Sequence, residues 1–175
     1  MEQSISSLVK QVKNNAKKLD ELEDVVDSNE QYARLMNLRV HGLKENERET
    51  SGMIEDALLK LFKTNLKIDV TPGEIDRCYR VGKYKAGSIR PVLIRFVSFN
   101  TRSKIFNNKK LLKQTGYVIK EDLTQARLDL LKKATEKYGV KQVWTQNGKI
   151  CTYISNRKKV IQSLMTYDMD KQPNG

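Results

Sequence analysis

The clearest strand of the chain is RPVLIRFVS, residues 90–98. Its apolar side chains alternate, because Val92, Ile94 and Phe96 fall on one face of an extended chain. The charged Arg95 falls on the opposite face. Such alternation predicts a strand with one face in a core and the other face open.

Five periodic segments, three strands and two helices, flank this strand, and the chain between them contains turn-forming residues. The first predicted helix is preceded by Thr50 and Ser51, either of which can cap a helix. Together the segments predict the order βαββαβ, which forms a four-stranded antiparallel sheet with its helices on one face. The predicted strands cover residues 38–43, 75–81, 90–98 and 117–119, and the helices cover residues 54–66 and 101–113.

The open face of such a sheet binds single-stranded RNA in RNA-recognition motifs. Here Arg39, Pro91 and Leu93 lie where stacking aromatic rings are usual. A guanidinium plane can stack on a base and also bind phosphate, so Arg39 and Arg95 are the predicted substitutes. The alternative is that both arginines are solvated on a sheet that serves only for packing. Further candidate nucleic-acid contacts on this side of the chain are Arg77, Arg80, Lys83, Lys85 and Arg90.

A seven-residue apolar repeat runs through residues 1–36 without Gly or Pro. It predicts a coiled coil about 50 Å long, because each helical residue adds about 1.5 Å. Asn15 and Asn29 in the seam favour a fixed register. The pattern from Lys18 to Glu23 resembles the trimer-specifying Arg-h-x-x-h-Glu, so a parallel homotrimer is predicted, with a dimer or a helix packed on its own domain as alternatives. The predicted oligomerisation residues are Ile5, Leu8, Val12, Asn15, Lys18, Leu19, Leu22, Glu23, Val26 and Asn29.

The C-terminal segment predicts a small α-β-hairpin-α domain. Asp122 and Gln125 form a capping-box-like pair before an amphipathic helix that ends at Gly139. Residues 147–148 are Asn-Gly, the strongest short signal for a β-hairpin. Asn156 is then predicted to cap a last short helix that runs to about residue 164.

In this hairpin Trp144 is predicted to oppose Cys151, and to share the less apolar face with Lys149 and Tyr153. That face predicts a stacking platform for bases. The alternative is a Trp packed under the neighbouring helix. The candidate nucleic-acid contacts of this domain are Arg127, Trp144, Lys149, Arg157 and Lys158.

The net charge of the chain is +12, and it is uneven: −2 over residues 1–36, +9 over residues 37–121 and +5 over residues 122–175. A basic domain attracts polyanions, most often nucleic acid, although a basic bias can also serve solubility alone.

Several classes of function are not expected. The chain has one histidine, His41, and no nucleophilic elbow, P-loop or HExxH motif. It is therefore predicted not to be an enzyme and to need no cofactor, metal or small-molecule substrate. The two cysteines, Cys78 and Cys151, predict no disulfide framework. No stretch has the roughly 20 apolar residues of a membrane span, so no membrane association is expected.

Three short motifs, in order behind the heptads, resemble one family: NLRVHG at residues 37–42, PVLIRF at residues 91–96 and EDLTQAR at residues 121–127. They are similar to the RNA-binding protein encoded by the first open reading frame of LINE-type, non-LTR retrotransposons. That resemblance implies RNA contacts at Arg95 and Arg127. The chain lacks the zinc knuckle that some members carry.

The resemblance also implies a domain order: a coiled coil in residues 1–36, an RNA-recognition-motif domain in 37–120, a C-terminal nucleic-acid-binding domain in 121–167 and a tail in 168–175. It implies binding of single-stranded RNA, with single-stranded DNA as an alternative, and nucleic-acid chaperone activity in retrotransposition. The expected location is a cytoplasmic ribonucleoprotein, with the nucleus as an alternative. The competing function is a coiled-coil scaffold whose basic domain is incidental.

Overall fold

A computed structural model describes residues 2–154 and 157–161 of the chain. The fold is α+β, with a long N-terminal helix and antiparallel sheets. It divides into two compact units. We call Arg34–Asp122 the central unit, and Met1–Ala33 together with Leu123–Gly175 the outer unit.

The central unit contains a four-stranded sheet in the order β2-β3-β1-β4, with every neighbouring pair antiparallel. Thr50 begins α2 by accepting a hydrogen bond from the Met53 amide, and Ser98 begins α3 by accepting one from Asn100. The elements are β1 (Asn37–His41), α2 (Ser51–Leu61), β2 (Ile75–Arg80), β3 (Val92–Phe96), α3 (Phe99–Asn107) and β4 (Val118–Glu121).

The core of the central unit lies on one face of this sheet. Val92, Ile94 and Phe96 are at most 1 % exposed, as the alternation predicted, and they belong to the same cluster as Leu58 of α2 and Ile105 of α3. The opposite face of the sheet is therefore left for other contacts.

Gly42 follows β1 at a position that only glycine fits. Its φ is +84°, and a Cβ there would lie 2.2 Å from the carbonyl oxygen of Gly116. This close approach brings the end of β1 beside the start of β4.

In the outer unit, α1 (Glu2–Ala33) is one continuous helix, and α4 (Gln125–Tyr138) precedes a three-stranded antiparallel sheet in the order β5-β6-β7. Its strands are β5 (Val143–Gln146), β6 (Lys149–Ile154) and β7 (Arg157–Ile161). The predicted hairpin register is confirmed, because Trp144 pairs with Cys151. Asn147 and Gly148 both have positive φ, as a type I′ turn requires.

The prediction of a last helix is wrong for residues 157–161, the part of it that the structure describes. Arg157–Ile161 forms strand β7, and Ile161 pairs with Ile150 in the core of the outer unit. The strand places Val160 and Ile161 on alternate faces and gives β6 a hydrogen-bonded neighbour on its second edge. The stability gained from this pairing outweighs the local preference of the sequence for a capped helix. Asn156, the rest of the predicted helix and the predicted tail at residues 168–175 lie outside the described residues.

Within the described ranges, no helix is long and apolar enough to cross a membrane. The same residues contain no group of three or more His, Cys, Asp or Glu side chains that could hold a metal ion.

Candidate nucleic-acid interface

The face of the central sheet away from the core carries two rows of side chains that cross the strands. We call them the open-face rows. Neighbouring strands lie about 4.8 Å apart, so a row across four strands spans roughly 14 Å. The first row is Tyr79, Leu93, Arg39 and Lys120, and the second row is Arg77, Arg95 and Asn37.

A bulge in β2 determines which of its side chains join these rows. The register shifts between Ile75 and Arg77, so Ile75 and Cys78 are both buried while Arg77 and Tyr79 are both exposed. Sequence reasoning missed Tyr79 because a bulge leaves no simple alternation to find. It missed Lys120 because the last strand was predicted to end one residue earlier.

Arg39 lies in the middle of the first row, and one edge of its guanidinium group is already hydrogen-bonded within the chain. Its Nε donates to Oδ1 of the buried Asp122 at 2.6 Å, and Nδ2 of Asn37 donates to Oδ2 of the same carboxylate at 2.9 Å. The Arg39 side chain is nevertheless 28 % exposed. Its guanidinium plane is thus oriented by Asp122 and still partly open to a ligand.

Arg95 lies beside it in the second row. Its Nε is 3.5 Å from Oδ2 of Asp76, and its Nη1 donates to Oδ1 of Asn37 at 3.4 Å. The side chain is 30 % exposed. Both distances are long for charge-assisted bonds.

His41 lies on the same face at the end of β1. Burial lowers the pKa of its imidazole, and the charges of Lys120 and Arg39 lower it further. The positive charges of Lys120 and Arg39 therefore extend to the position of His41 on the open face.

Arg80 points away from the open face and is only 4 % exposed. Its guanidinium donates to both carboxylate oxygens of Glu49 and to the carbonyl oxygens of Leu43, Lys44 and Arg90, at 2.8–3.0 Å. These bonds occupy all five N–H donors of an arginine. The structure therefore gives Arg80, a predicted RNA contact, the role of tying the surrounding loops together.

Arg90 is also paired within the chain. Its Nε and Nη2 both donate to Oε1 of Glu45, its backbone amide donates to Oε2, and these bonds lower the pKa of that carboxyl. The guanidinium carbon lies 5.8 Å from the ring centroid of Tyr84. Lys83 and Lys85, in the same loop, are exposed. Among the predicted cations at this edge of the sheet, the exposed ones are Arg77, Lys83 and Lys85.

Arg127 joins three parts of the outer unit. From α4 its Nε donates to Oδ2 of Asp27 on α1 at 2.8 Å, and its Nη1 donates to the carbonyl oxygen of Gly148 in the hairpin turn at 2.8 Å. The side chain is 11 % exposed. The residue that the family resemblance marks as an RNA contact thus has a structural role in the free protein.

No protein-family model matches this chain, and no curated protein gives a significant match to it.

The outer sheet has an aromatic pair, the half-buried Trp144 and the exposed Tyr153, on the face away from its core. The ring centroids of Trp144 and Tyr153 are 4.9 Å apart, with a tilt of 39° between the planes. Tyr153 is 53 % exposed. Nζ of Lys158 is 5.9 Å from the Trp144 ring and donates to Oε1 of Gln146 at 2.6 Å. The strand register confirms the prediction that Trp144 and Tyr153 share one face.

The other two predicted cations of this sheet differ in position. Lys149 is exposed beside the turn, on the face of Trp144. Arg157 is exposed but alternates with Lys158 along β7, which puts it on the opposite face. The sequence prediction did not assign Arg157 and Lys158 to opposite faces, because it placed both residues on a helix.

The predicted oligomerisation seam of α1 is exposed along its length. Its apolar members Ile5, Leu8, Val12, Leu19, Leu22 and Val26 are 57–67 % exposed. The residues of α1 that contact the rest of the outer unit are different ones. Asp27 binds Arg127 and the Thr124 hydroxyl, and Gln31 accepts a hydrogen bond from the Thr124 amide at 3.0 Å.

Asp27 and Gln31 occupy positions b and f of the heptad, on the side of the helix away from positions a and d. Gln31 lies so close to the hairpin turn that a Cβ on Gly148 would come within 2.7 Å of its side chain. The rest of the outer unit therefore packs on the side of α1 opposite positions a and d, and the seam stays exposed.

Proposed function

We propose that this protein is an oligomeric, non-enzymatic, single-stranded RNA-binding protein that coats a retrotransposon transcript and acts as a nucleic-acid chaperone. The observation that carries the proposal is the pair of open-face rows on a sheet whose elements run βαββαβ. RNA-recognition motifs bind unpaired RNA on the open face of a four-stranded sheet, which supports this interpretation of the central unit.

The chemistry of the rows favours contact with the sugar-phosphate strand over reading of bases. Tyr79 is the ring that the rows offer, and it lies on the edge strand β2. The inner strands present Arg39 and Arg95, while Leu93, between Tyr79 and Arg39 in the first row, is buried. Guanidinium groups bind phosphate and stack on any base, so we expect weak sequence selectivity and binding of single-stranded DNA as well.

Charge supports the same ligand. The segments that follow α1 have net charges of +9 and +5, whereas residues 1–36 have −2. Phosphate binding to such surfaces releases counterions, so the affinity should fall linearly with salt on a log–log plot.

The open seam of α1 supports self-association. A helix with a 57–67 % exposed apolar stripe gains stability when partner helices cover that stripe. Lys18, Leu19, Leu22 and Glu23 favour a parallel trimer, with a dimer as the alternative. Linked binding sites on neighbouring protomers would raise affinity for one long strand by about 100- to 10,000-fold.

The link to retrotransposition rests on the resemblance of residues 37–42, 91–96 and 121–127 to the LINE-type family. In that setting the protein would form a cytoplasmic ribonucleoprotein with the element's transcript. An oligomer that exposes many exchangeable phosphate contacts also suits the rearrangement of strands that a chaperone performs.

One set of observations favours a second function, a coiled-coil scaffold with an incidental basic domain. Arg39, Arg80 and Arg90 are each paired with a carboxylate of the same chain. Such pairing reduces the charge that is left for a polyanion.

A filter-binding titration with single-stranded RNA, at a low and a moderate salt concentration, separates the two functions. The RNA-binding proposal expects tight binding at low salt that weakens steeply as salt rises. A matched duplex of the same sequence is the control, because unstacked bases are not available in it. Absence of binding at low salt would favour the scaffold.

A further inference from the structure

The outer sheet differs from the central one in how its charges are balanced. Residues 139–161 contain five basic residues and no acidic residue. In the central sheet, Arg39 and Arg95 lie beside Asp122 and Asp76. The strands and turns of the outer sheet therefore have a local excess of positive charge, which attracts a polyanion.

The aromatic pair lies within this basic segment. Tyr153 is opposite Lys158 on β7, Trp144 is its diagonal neighbour on β5, and Lys149 follows the turn on the same face. The two rings are tilted and not stacked flat on each other. The exposed Tyr153 ring thus has a face to offer to another planar group.

We infer that Trp144 and Tyr153 form a stacking site for unpaired nucleobases, and that Lys149 and Lys158 contact the phosphates on either side. This inference rests on the proposed function and adds a second, distinct contact surface to it. An aromatic platform beside lysines is the arrangement with which single-strand-binding proteins hold bases without reading their sequence.

The charge of the segment selects this occupant over a protein partner. A protein docking face usually has an apolar centre that is depleted of lysine. Here Lys158 lies 5.9 Å from the centre of the Trp144 ring and Lys149 lies on the same face. Duplex RNA is also disfavoured, since its bases are stacked inside the helix.

The chain offers a direct optical test, because Trp144 is its single tryptophan. Single-stranded oligo(U) of about 16 nucleotides, at the upper end of single-strand site sizes, is titrated into the full-length protein while tryptophan emission is followed. Stacking of a base on the pair should quench the emission, with the same midpoint as filter binding. A self-complementary hairpin of similar length should quench much less at equal phosphate concentration.

Variants separate stacking from general stability. Tyr153→Ala should weaken oligo(U) binding about 5- to 140-fold, the equivalent of about 1–3 kcal/mol per stacked base, whereas Tyr153→Phe should bind nearly as the parent does. Tyr32→Ala, which removes from α1 a tyrosine ring that is 79 % exposed against 53 % for Tyr153, is the control and should leave the affinity unchanged. Lys158→Ala should reduce the magnitude of the salt slope by about one.

The outcomes distinguish this site from the proposed function. If the parent binds oligo(U) by filter assay and Trp144 emission does not change, the stacking site is wrong while RNA binding stands. If Tyr153→Phe loses as much affinity as Tyr153→Ala, ring stacking is also wrong. If the parent binds no oligo(U) at low salt, the proposed function and the site both fail.

Discussion

Each arginine of β2 has a role set by the partners around it. Arg77 is 63 % exposed on the open face, while Arg80, three residues later, is 4 % exposed and has every donor occupied. The bulge between Ile75 and Arg77 fixes which way each one points. Two residues of one type on one strand are therefore expected to respond differently to substitution.

Arg80→Ala should lower the free energy of unfolding by about 3–5 kcal/mol, because it leaves the buried carboxylate of Glu49 without its partner. Arg77→Ala should change it by less than about 0.5 kcal/mol, as surface substitutions usually do, and should weaken RNA binding. Urea denaturation and filter binding measure the two effects. Equal unfolding energies for both variants would contradict the structural role of Arg80.

His41 reports on the open face because it is the only imidazole of the chain. Its pKa is lowered by burial and by Lys120 and Arg39, so the unfolded chain takes up its proton first and acid lowers stability as pH falls through the ordinary value of 6.5.

Phosphates that bind between Lys120 and Arg39 should raise the pKa of His41, because they offset both positive neighbours. RNA binding would then take up protons and strengthen as pH falls toward that pKa. An NMR titration of the imidazole, with and without oligo(U), measures the shift. An identical pKa in both titrations would mean that RNA does not occupy this face.

Helix α1 uses two of its sides for different purposes. Positions a and d form an exposed apolar seam, while Asp27 and Gln31, at positions b and f, hold the helix to the outer unit. Because these sides are opposite, the packing of the outer unit leaves the seam free for the proposed self-association.

Asp27→Ala and Arg127→Ala should each destabilise the outer unit, and their double variant should be less destabilised than the sum. Residues in direct contact usually show a coupling of about 0.5–3 kcal/mol. Thermal or urea unfolding of the four proteins gives this value. Strictly additive effects would show that the pair at 2.8 Å does not contribute to stability.

Leu19→Asp combined with Leu22→Asp should dissociate the oligomer and leave each chain folded, since both side chains are about 60 % exposed in the single chain. Analytical ultracentrifugation measures the mass and circular dichroism the fold. Asn14→Asp, at the outward position c, is the matched control and should keep the parent's mass. A parent protein that sediments as a monomer would contradict the proposal that the seam of α1 mediates self-association.

Local patterns in the sequence predicted the elements whose signals are strong over a few residues. The Asn-Gly turn gave the register of β5 and β6, and the alternation at Val92, Ile94 and Phe96 gave the buried face of β3. The last strand was predicted as a helix because a cap is a local signal, whereas β7 depends on pairing with β6.

The candidate sites were harder to predict than the elements. Which cations are exposed depends on partners far away in sequence: Arg80 binds Glu49, 31 residues earlier, and Arg127 binds Asp27, 100 residues earlier. No local pattern contains these pairs. The charge and the seam were predictable, but the division of arginines between structural ties and open positions was not.

At the scale of the whole molecule, the proposal combines charge with self-association. The basic segments that follow α1 would be gathered three at a time around a coiled coil, and the formal charge of a trimer would be three times that of the chain, whose value is +12. Avidity then depends on the seam, and the strength of each contact depends on the two sheets.

Comparing the parent with the Leu19→Asp, Leu22→Asp variant isolates avidity better than deletion of α1 would, because deletion also removes Asp27 and Gln31. On a long single strand the parent should bind about 100- to 10,000-fold more tightly than the variant, since linked protomers share one ligand. On an oligonucleotide too short to bridge protomers, the two should bind alike. Equal affinities on the long strand would show that oligomerisation does not contribute to binding.

The most direct measurement is the equilibrium affinity of the full-length protein for single-stranded RNA across a series of salt concentrations. We expect tight binding at low salt, and a log–log slope of several units that reports the phosphates neutralised by the two basic sheets. Undetectable binding at low salt, or an affinity that does not change with salt, would contradict the proposal that these surfaces bind an RNA strand.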